Sequence, residues 1–432
     1  MQDAPSTHPA SCIVYPASGC IGVREFMISV EEALGILLSN LPECKVERIP
    51  FPSALGRILA ENLVATCDIP PFHRSAVDGY ALLSSDVEHA PTALAVVGES
   101  RAGGGMPGTL KPGEAITIMT GAPVPEGADC VQMVEHSQLS NAGRKVTILK
   151  SAKAHENIAP RGSEAKSGEV VLETGHRIGP AEIAVMATFG YCEVKAYRKP
   201  TVAIVATGDE LVELDQAPRS DQIRNSNAYC LASQLRYMDI EADYLGIAKD
   251  DKEELRRKML LGMQRDVLIM TGGVSMGEYD FVQDVFHDLG LEILFSKVAI
   301  KPGKPTVFAR RGDKLVFGLP GNPISALITF ECFVRPALGR LCGMKMPELP
   351  RMMGVLLADM KQSPGRTAFL PAWVFWKEDG WKVEPLVWKS SADIIGFTHA
   401  NATFIFPKNR DFLSRGEIVE LMLLPDFFVR QR

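Results

Sequence analysis

The chain has 432 residues, enough for about three domains at the usual size. Apolar residues make up 46% and charged residues 23%, a globular balance that excludes a disordered or fibrous chain. With 46 basic and 52 acidic residues the formal net charge is −6, so there is no overall electrostatic footprint for nucleic acid, and an anionic ligand has to be held locally. No apolar run reaches the roughly 18 residues that span a bilayer. The first residues lack the basic and apolar regions of a secretory signal, and the nine cysteines are scattered without a C-x-x-C pair. A cytoplasmic protein with no membrane and no nucleic-acid partner is expected.

Residues 1–26 mix Pro, Ser and Gly without periodicity and read as a mobile extension, with Met27 an alternative start. Ser29 followed by Glu32 predicts a capped helix with Ala33, Leu34, Leu37 and Leu38 on one face. Residues 53–64 repeat the helical signal before the chain turns extended at DIPPF. From about 71 to 155, short alternating runs (LAVVGES, AITIMTG, CVQMVE, KVTILK) bounded by Gly and Pro predict an inserted β module. Residues 156–198 carry Gly-punctuated elements and a helix, GPAEIAVMATFG. With 27–70 they are expected to form a split helical domain.

At Pro200 the pattern changes to apolar runs alternating with amphipathic helices: TVAIVATG, EADYLGIA, DVLIMTGG and KLVFGLPG, ending in the long run ISALITFECFVRPALGRL. This predicts a parallel sheet covered on both faces over 199–343. Residues 350–428 return to β-like runs and read as a terminal β domain. The expected fold is thus multidomain α/β plus β.

Ligands of open α/β sheets bind at the carboxyl ends of the strands. There the chain carries Thr207-Gly208-Asp209-Glu210, Asp250, the run Thr271 to Asp280 (TGGVSMGEYD), Lys301-Pro302-Gly303-Lys304-Pro305 and Leu319-Pro320-Gly321-Asn322-Pro323. Gly272, Gly273 and Ser275 suit either a tight turn or close approach of backbone N–H groups to a phosphate. Taken singly, Asp250 and Asp280 read as helix caps. Together with Glu210 they place three carboxylates on one rim, a donor set suited to Mg²⁺. Lys297, Lys301 and Lys304 supply charge for a polyanion. The combination points to Mg²⁺-dependent phosphate chemistry without naming a substrate.

The region Pro200–Gly343 resembles the molybdopterin-binding domain of the MoeA and gephyrin E-domain family, which is also found as the MogA-like adenylyltransferases. TGDEL, IRNSN, TGGVSMGEYD, KPGKP and LPGNPISALITFECFV match its pattern in order. Outside it, SAVDGYA (75–81) and IMTGAPVPEGAD (118–129) resemble the motifs that distinguish the molybdenumtransferases. The resemblance implies a C-terminal β-barrel-like domain and insertion of molybdate into adenylylated molybdopterin with release of AMP. It further implies Mg²⁺ at Asp250, Asp280 and Glu210, anion binding by the three lysines with Pro302 and Pro305, and weaker contributions from Arg366 and Ser391. It assigns Asp78 and Thr120 to a site shared between subunits of a homodimer. Where the family has N-I-R-x-x-G-E-D, this chain has Ala159 for the first Arg and Glu164 for the Asp, leaving Arg161 as a displaced guanidinium. A molybdopterin-binding scaffold and adenylyltransferase-type phosphate chemistry are the competing readings. Transient contact with the adenylyltransferase or with cofactor-receiving enzymes follows from the same resemblance.

Overall fold

The computed structural model describes residues 27–140, 143–273 and 281–430. The expected extension over 1–26 lies outside them, as do Ser275 and Asp280. The chain divides into two compact units, Val46–Tyr197 and the remainder on either side of it in sequence.

In the larger unit a six-stranded sheet carries, in spatial order, Ala242–Ala248, Val202–Thr207, Val267–Thr271, Lys314–Leu319, Val307–Arg311 and Glu292–Phe295. The first four are parallel, whereas the last two run antiparallel to their neighbours. The antiparallel edge departs from the all-parallel expectation because the two strands flanking Gly312-Asp313 are joined by a tight hairpin, and no crossover helix fits there. Alternation along Val202–Thr207 sends Val202 and Ile204 into one apolar core and Ala203 and Val205 into the other. Helices cover both faces: Asn227–Arg236 brings Leu231 and Leu235 to the first core, and Lys252–Gly262 brings Leu255 and Met259 to the second. This two-sided burial is why these strands read as unbroken apolar runs.

The run ISALITFECFVRPALGRL forms Pro323–Thr329, a π-helical turn over Phe330–Val334, and Arg335–Leu341. Pro336 has no N–H to donate to the preceding turn, and the wider π turn accommodates that loss.

Two helix expectations are corrected. The helix Val30–Ser39 has the predicted capping box, with Ser29 Oγ accepting from the Glu32 N–H at 3.1 Å and Glu32 accepting from the Ser29 N–H at 2.8 Å. Val30, Ala33 and Leu37 pack into the first α/β core, so the helix belongs to the α/β unit and not to a split helical domain. Residues 53–64 are not a helix. A 3₁₀ turn at Phe51–Ala54 stops at Gly56, whose φ of +79° leaves the right-handed region, and a short strand, Leu63–Val64, follows.

The C-terminal part of this unit is a barrel. Thr367–Lys377, Gly380–Pro385, Arg351–Leu356, Ile418–Leu423 and Ala402–Phe406 pair in that order, and the last closes onto the first. The two-residue strand Ile300–Lys301 leaves the α/β region and adds to Thr367–Lys377, pairing Lys301 with Ala368.

In the smaller unit the alternating runs form a six-stranded sheet ordered Cys130–Met133, Gly79–Leu82, Glu114–Ile118, Thr92–Ser100, Lys145–Ile148, Ser137–Ser140. Residues after 156 pair back on the first part of the unit through Val46–Pro50 with Glu193–Tyr197, and the helix Pro180–Thr188 follows its predicted position.

Candidate functional site

A cavity of about 850 Å³ opens at the carboxyl ends of the α/β strands, bounded on the other side by loops of the barrel. Among the described residues its lining includes five cationic side chains, Arg224, Lys301, Lys304, Arg366 and Lys389, against one carboxylate, Glu210. A hollow with this charge balance favours a ligand with several negative charges.

The backbone approaches the cavity closely at Gly272, where φ is +90° and a Cβ would lie 2.1 Å from the Thr207 carbonyl oxygen. Only glycine fits there. Gly273 follows in the left-handed region, its Cβ position 2.6 Å from Thr207 Oγ1. Among the described residues that hydroxyl oxygen is buried without a hydrogen-bond partner, although Thr207 itself lines the cavity. A polar atom left in this state suits a ligand oxygen.

Lys301 is fixed by the barrel: its strand pairing sets the backbone, and its Nζ donates to Gln362 Oε1 at 2.6 Å. Lys304 is exposed at the rim, and Pro302 and Pro305 stiffen the loop between. Lys297 is not part of the lining, and its carbonyl accepts from the Ile28 N–H at 3.2 Å. The next residue, Val298, donates its N–H to the Lys304 carbonyl at 3.0 Å, so the two segments run side by side although only Lys301 and Lys304 line the cavity. Ser391 and Arg366 reach the cavity from the barrel, and Asn322 Nδ2 donates to Ser391 Oγ at 2.8 Å.

The carboxylates are arranged less simply than expected. Asp251, not Asp250, caps the helix Lys252–Gly262 by accepting from the Glu254 N–H at 2.8 Å. Asp250 instead turns its backbone N–H to Asp209 Oδ1. Partial desolvation, then the neighbouring Asp209 and Glu210 charges, raise its carboxyl above the ordinary range. A cation would relieve that repulsion. Among the described residues no group of three or more His, Cys, Asp or Glu side chains is arranged to hold a metal ion. Glu210 and Asp250 supply the negative charge and oxygen donors that Mg²⁺ takes, and Asp280, the third carboxylate expected with them, lies outside the described residues.

Asn225, Asn227, Asn322, Gln362 and Trp388 were not singled out from the sequence. Asn227 is buried and donates to Thr271 Oγ1 at 2.9 Å and to the Gly321 carbonyl at 2.7 Å, tying two strand ends together. The asparagines lie within motifs already noted, IRNSN and LPGNP. Gln362 and Trp388 have no local signal.

In the smaller unit, Asp78 Oδ1 accepts from both the backbone N–H and the hydroxyl of Thr120, at 2.7 and 2.8 Å. Antiparallel pairing of Gly79–Leu82 with Glu114–Ile118 brings the two motifs side by side. These bonds hold the Asp78 carboxyl below its ordinary range. Arg161 pairs with Asp68 at 2.6 Å and Glu164 with Arg74 at 2.6 Å, so each already has an intramolecular partner. Arg161 also borders a separate hollow of about 760 Å³ with His73 and His155.

Fold and site define an α/β protein with a cationic cavity completed by loops of a small β-barrel. Three family models match in order: "MoeA N-terminal region (domain I and II)" over residues 28–190, "Probable molybdopterin binding domain" over 203–340, and "MoeA C-terminal region (domain IV)" over 353–424. A molybdopterin molybdenumtransferase of Staphylococcus epidermidis is 36% identical over 403 residues, covering 92% of this chain and 95% of the relative. One from Haemophilus influenzae is 34% identical, covering 91% and 98%. The crystal structure of a molybdopterin biosynthesis MoeA protein from Pyrococcus horikoshii superposes with a TM-score of 0.80 at 32% identity, covering 92% of this chain and 99% of the other. The chain belongs to the molybdopterin molybdenumtransferase family, the MoeA proteins.

Proposed function

We propose that this enzyme carries out the last assembly step of the molybdenum cofactor, inserting molybdate into adenylylated molybdopterin with release of AMP and with the help of Mg²⁺. Membership of a molybdenumtransferase family supports the metal-insertion chemistry at the coarse level. The observation that carries the finer reading is the charge of the cavity, five cations against one carboxylate among the described residues, around a glycine-only turn. Both substrates are polyanions, and preorganised cations and N–H donors stabilise the charge that develops when a phosphoanhydride is cleaved.

Lys301 and Lys304 would hold molybdate or phosphate oxygens, Gly272, Gly273 and Ser275 a phosphate, and Arg366 and Ser391 the oxyanion from the barrel side. Glu210 would orient a ligand or water at the same rim. Asp250, Glu210 and Asp280 would hold Mg²⁺, which when bound screens phosphate charge and polarises phosphorus. Asp78 and Thr120 would serve the site of a second copy of the chain in a homodimer.

The test supplies adenylylated molybdopterin, Mg²⁺ and molybdate and measures AMP together with metallated cofactor. Stoichiometric release of both is expected. Binding without AMP release would sink the reading. Mixing Asp78→Ala and Asp280→Ala subunits tests the shared site, with partial recovery of activity expected in confirmed heterodimers. No recovery there would refute the dimer arrangement.

A further inference from the structure

The charged groups of the cavity account for phosphate and oxyanion binding, but they do not distinguish one phosphorylated molecule from another. Among the described residues Trp388 is the only aromatic side chain in its lining. The ring is half-buried and packs against both the α/β core and the barrel core, so its position is set by apolar contacts. Its remaining surface is a flat aromatic area in a hollow whose other apolar side chains are aliphatic, Leu211, Ile223, Ala392 and the prolines.

The loop that carries it is tied down. The Asp393 carboxylate accepts from the Lys389 N–H at 3.0 Å and from the Gly396 N–H at 3.0 Å. The Ser391 carbonyl accepts from the Ile324 N–H at 3.1 Å, and its hydroxyl is held by Asn322. An aromatic ring on a pinned loop loses little freedom when a ligand stacks on it. Stacking of a base on an aromatic side chain is a substantial contribution that tolerates different heterocycles.

We infer that Trp388 is the stacking platform for the planar heterocycle of the phosphorylated substrate and so determines specificity in this cavity. The inference rests on the proposed function, which requires a substrate carrying two planar heterocycles, a pterin and an adenine. The indole face binds one of these rings while Lys301, Lys304 and Arg366 hold the charged groups.

The test uses the full chain and three probes: AMP, a phosphorylated pterin lacking the adenylyl group, and inorganic molybdate. Affinities are measured by calorimetry for wild type, Trp388→Phe, Trp388→Leu and Trp388→Ala, with intrinsic fluorescence recorded alongside. Wild type is expected to bind one heterocycle with quenching of tryptophan emission. Trp388→Ala and Trp388→Leu weaken that heterocycle about tenfold, Trp388→Phe by no more than about threefold, and molybdate affinity moves little in any variant. In turnover, KM for the adenylylated substrate rises about tenfold in Trp388→Ala with a smaller change in kcat. The heterocycle that loses affinity identifies the stacked ring. Wild-type affinity for both AMP and pterin in Trp388→Leu would overturn the inference while leaving the proposed function standing. Equal losses for molybdate and the heterocycles would also overturn it, by showing that the ring only shapes the cavity. Failure of the wild type to bind either heterocycle would overturn both the inference and the proposed function.

Discussion

Asp78 and Thr120, 42 residues apart in sequence, share a two-pronged hydrogen bond in which one carboxylate oxygen accepts from both the backbone N–H and the side-chain hydroxyl. These bonds favour the ionised carboxylate and fix its orientation. Thr120→Val removes one donor and retains the backbone bond. Its Asp78 carboxyl should titrate at higher pH than in wild type, followed by carbonyl infrared spectroscopy, and turnover should fall about tenfold. Asp78→Asn should lose at least a hundredfold with an unchanged circular dichroism spectrum. An unshifted titration and full turnover in Thr120→Val would show that the pair is only a turn.

Gly272 tests the close approach of backbone to ligand. A methyl group there would sit 2.1 Å from the Thr207 carbonyl, on a residue at φ +90°. Gly272→Ala should therefore displace the turn and reduce kcat/KM by two orders of magnitude or more, with a small fall in Tm. Gly321, whose added Cβ would meet the Gly272 Cα at an ordinary 3.5 Å, is the control. Gly321→Ala should retain most activity, and equal losses in both variants would refute the steric argument.

Gln362 and Asn322 hydrogen-bond Lys301 and Ser391, and on the proposed function they position those side chains. Loss of the Lys301–Gln362 bond frees a flexible four-carbon side chain, so Gln362→Ala should raise KM for molybdate or phosphate severalfold with a smaller effect on kcat. Gln362→Glu should restore the position of Lys301 while weakening anion binding by adding charge. Unchanged KM in both variants would remove Gln362 from the site.

Stability at low pH should depend on Asp266. Burial raises its carboxyl, but hydrogen bonds from the Thr201 N–H, Lys45, Arg198 and the Thr201 hydroxyl outweigh burial and leave it well below the ordinary carboxylate range. A depressed carboxyl stabilises the folded chain above the unfolded-state value near 4 and loses that contribution as pH falls through its own lower value. Asp266→Asn should cost about 2 kcal/mol at pH 7 in urea unfolding, and the gap to wild type should narrow below about pH 4. A gap independent of pH would refute the electrostatic account.

Several features could be read directly from the chain. Ser29 and Glu32 form the capping box, the apolar runs become buried strands, and Glu210, Gly272, Lys301, Lys304, Arg366 and Ser391 line one cavity. Other expectations failed for local reasons with distant causes. Residues 53–64 have helical spacing of apolar positions, but Gly56 breaks the backbone and long-range pairing takes over. Asp250 looked like a cap, yet its neighbour Asp251 has that role.

By itself the sequence determined most of the buried strands and capped helices and which charged residues stand at strand ends, because propensity, capping and hydrophobic period act over a few residues. Tertiary structure alone decided that Lys301 is paired with Ala368 and held by Gln362, and that Trp388 lines the same cavity. Those outcomes depend on barrel closure and sheet order. Both arise from pairing between residues far apart in the chain, where burial of whole faces and not any local motif selects the register.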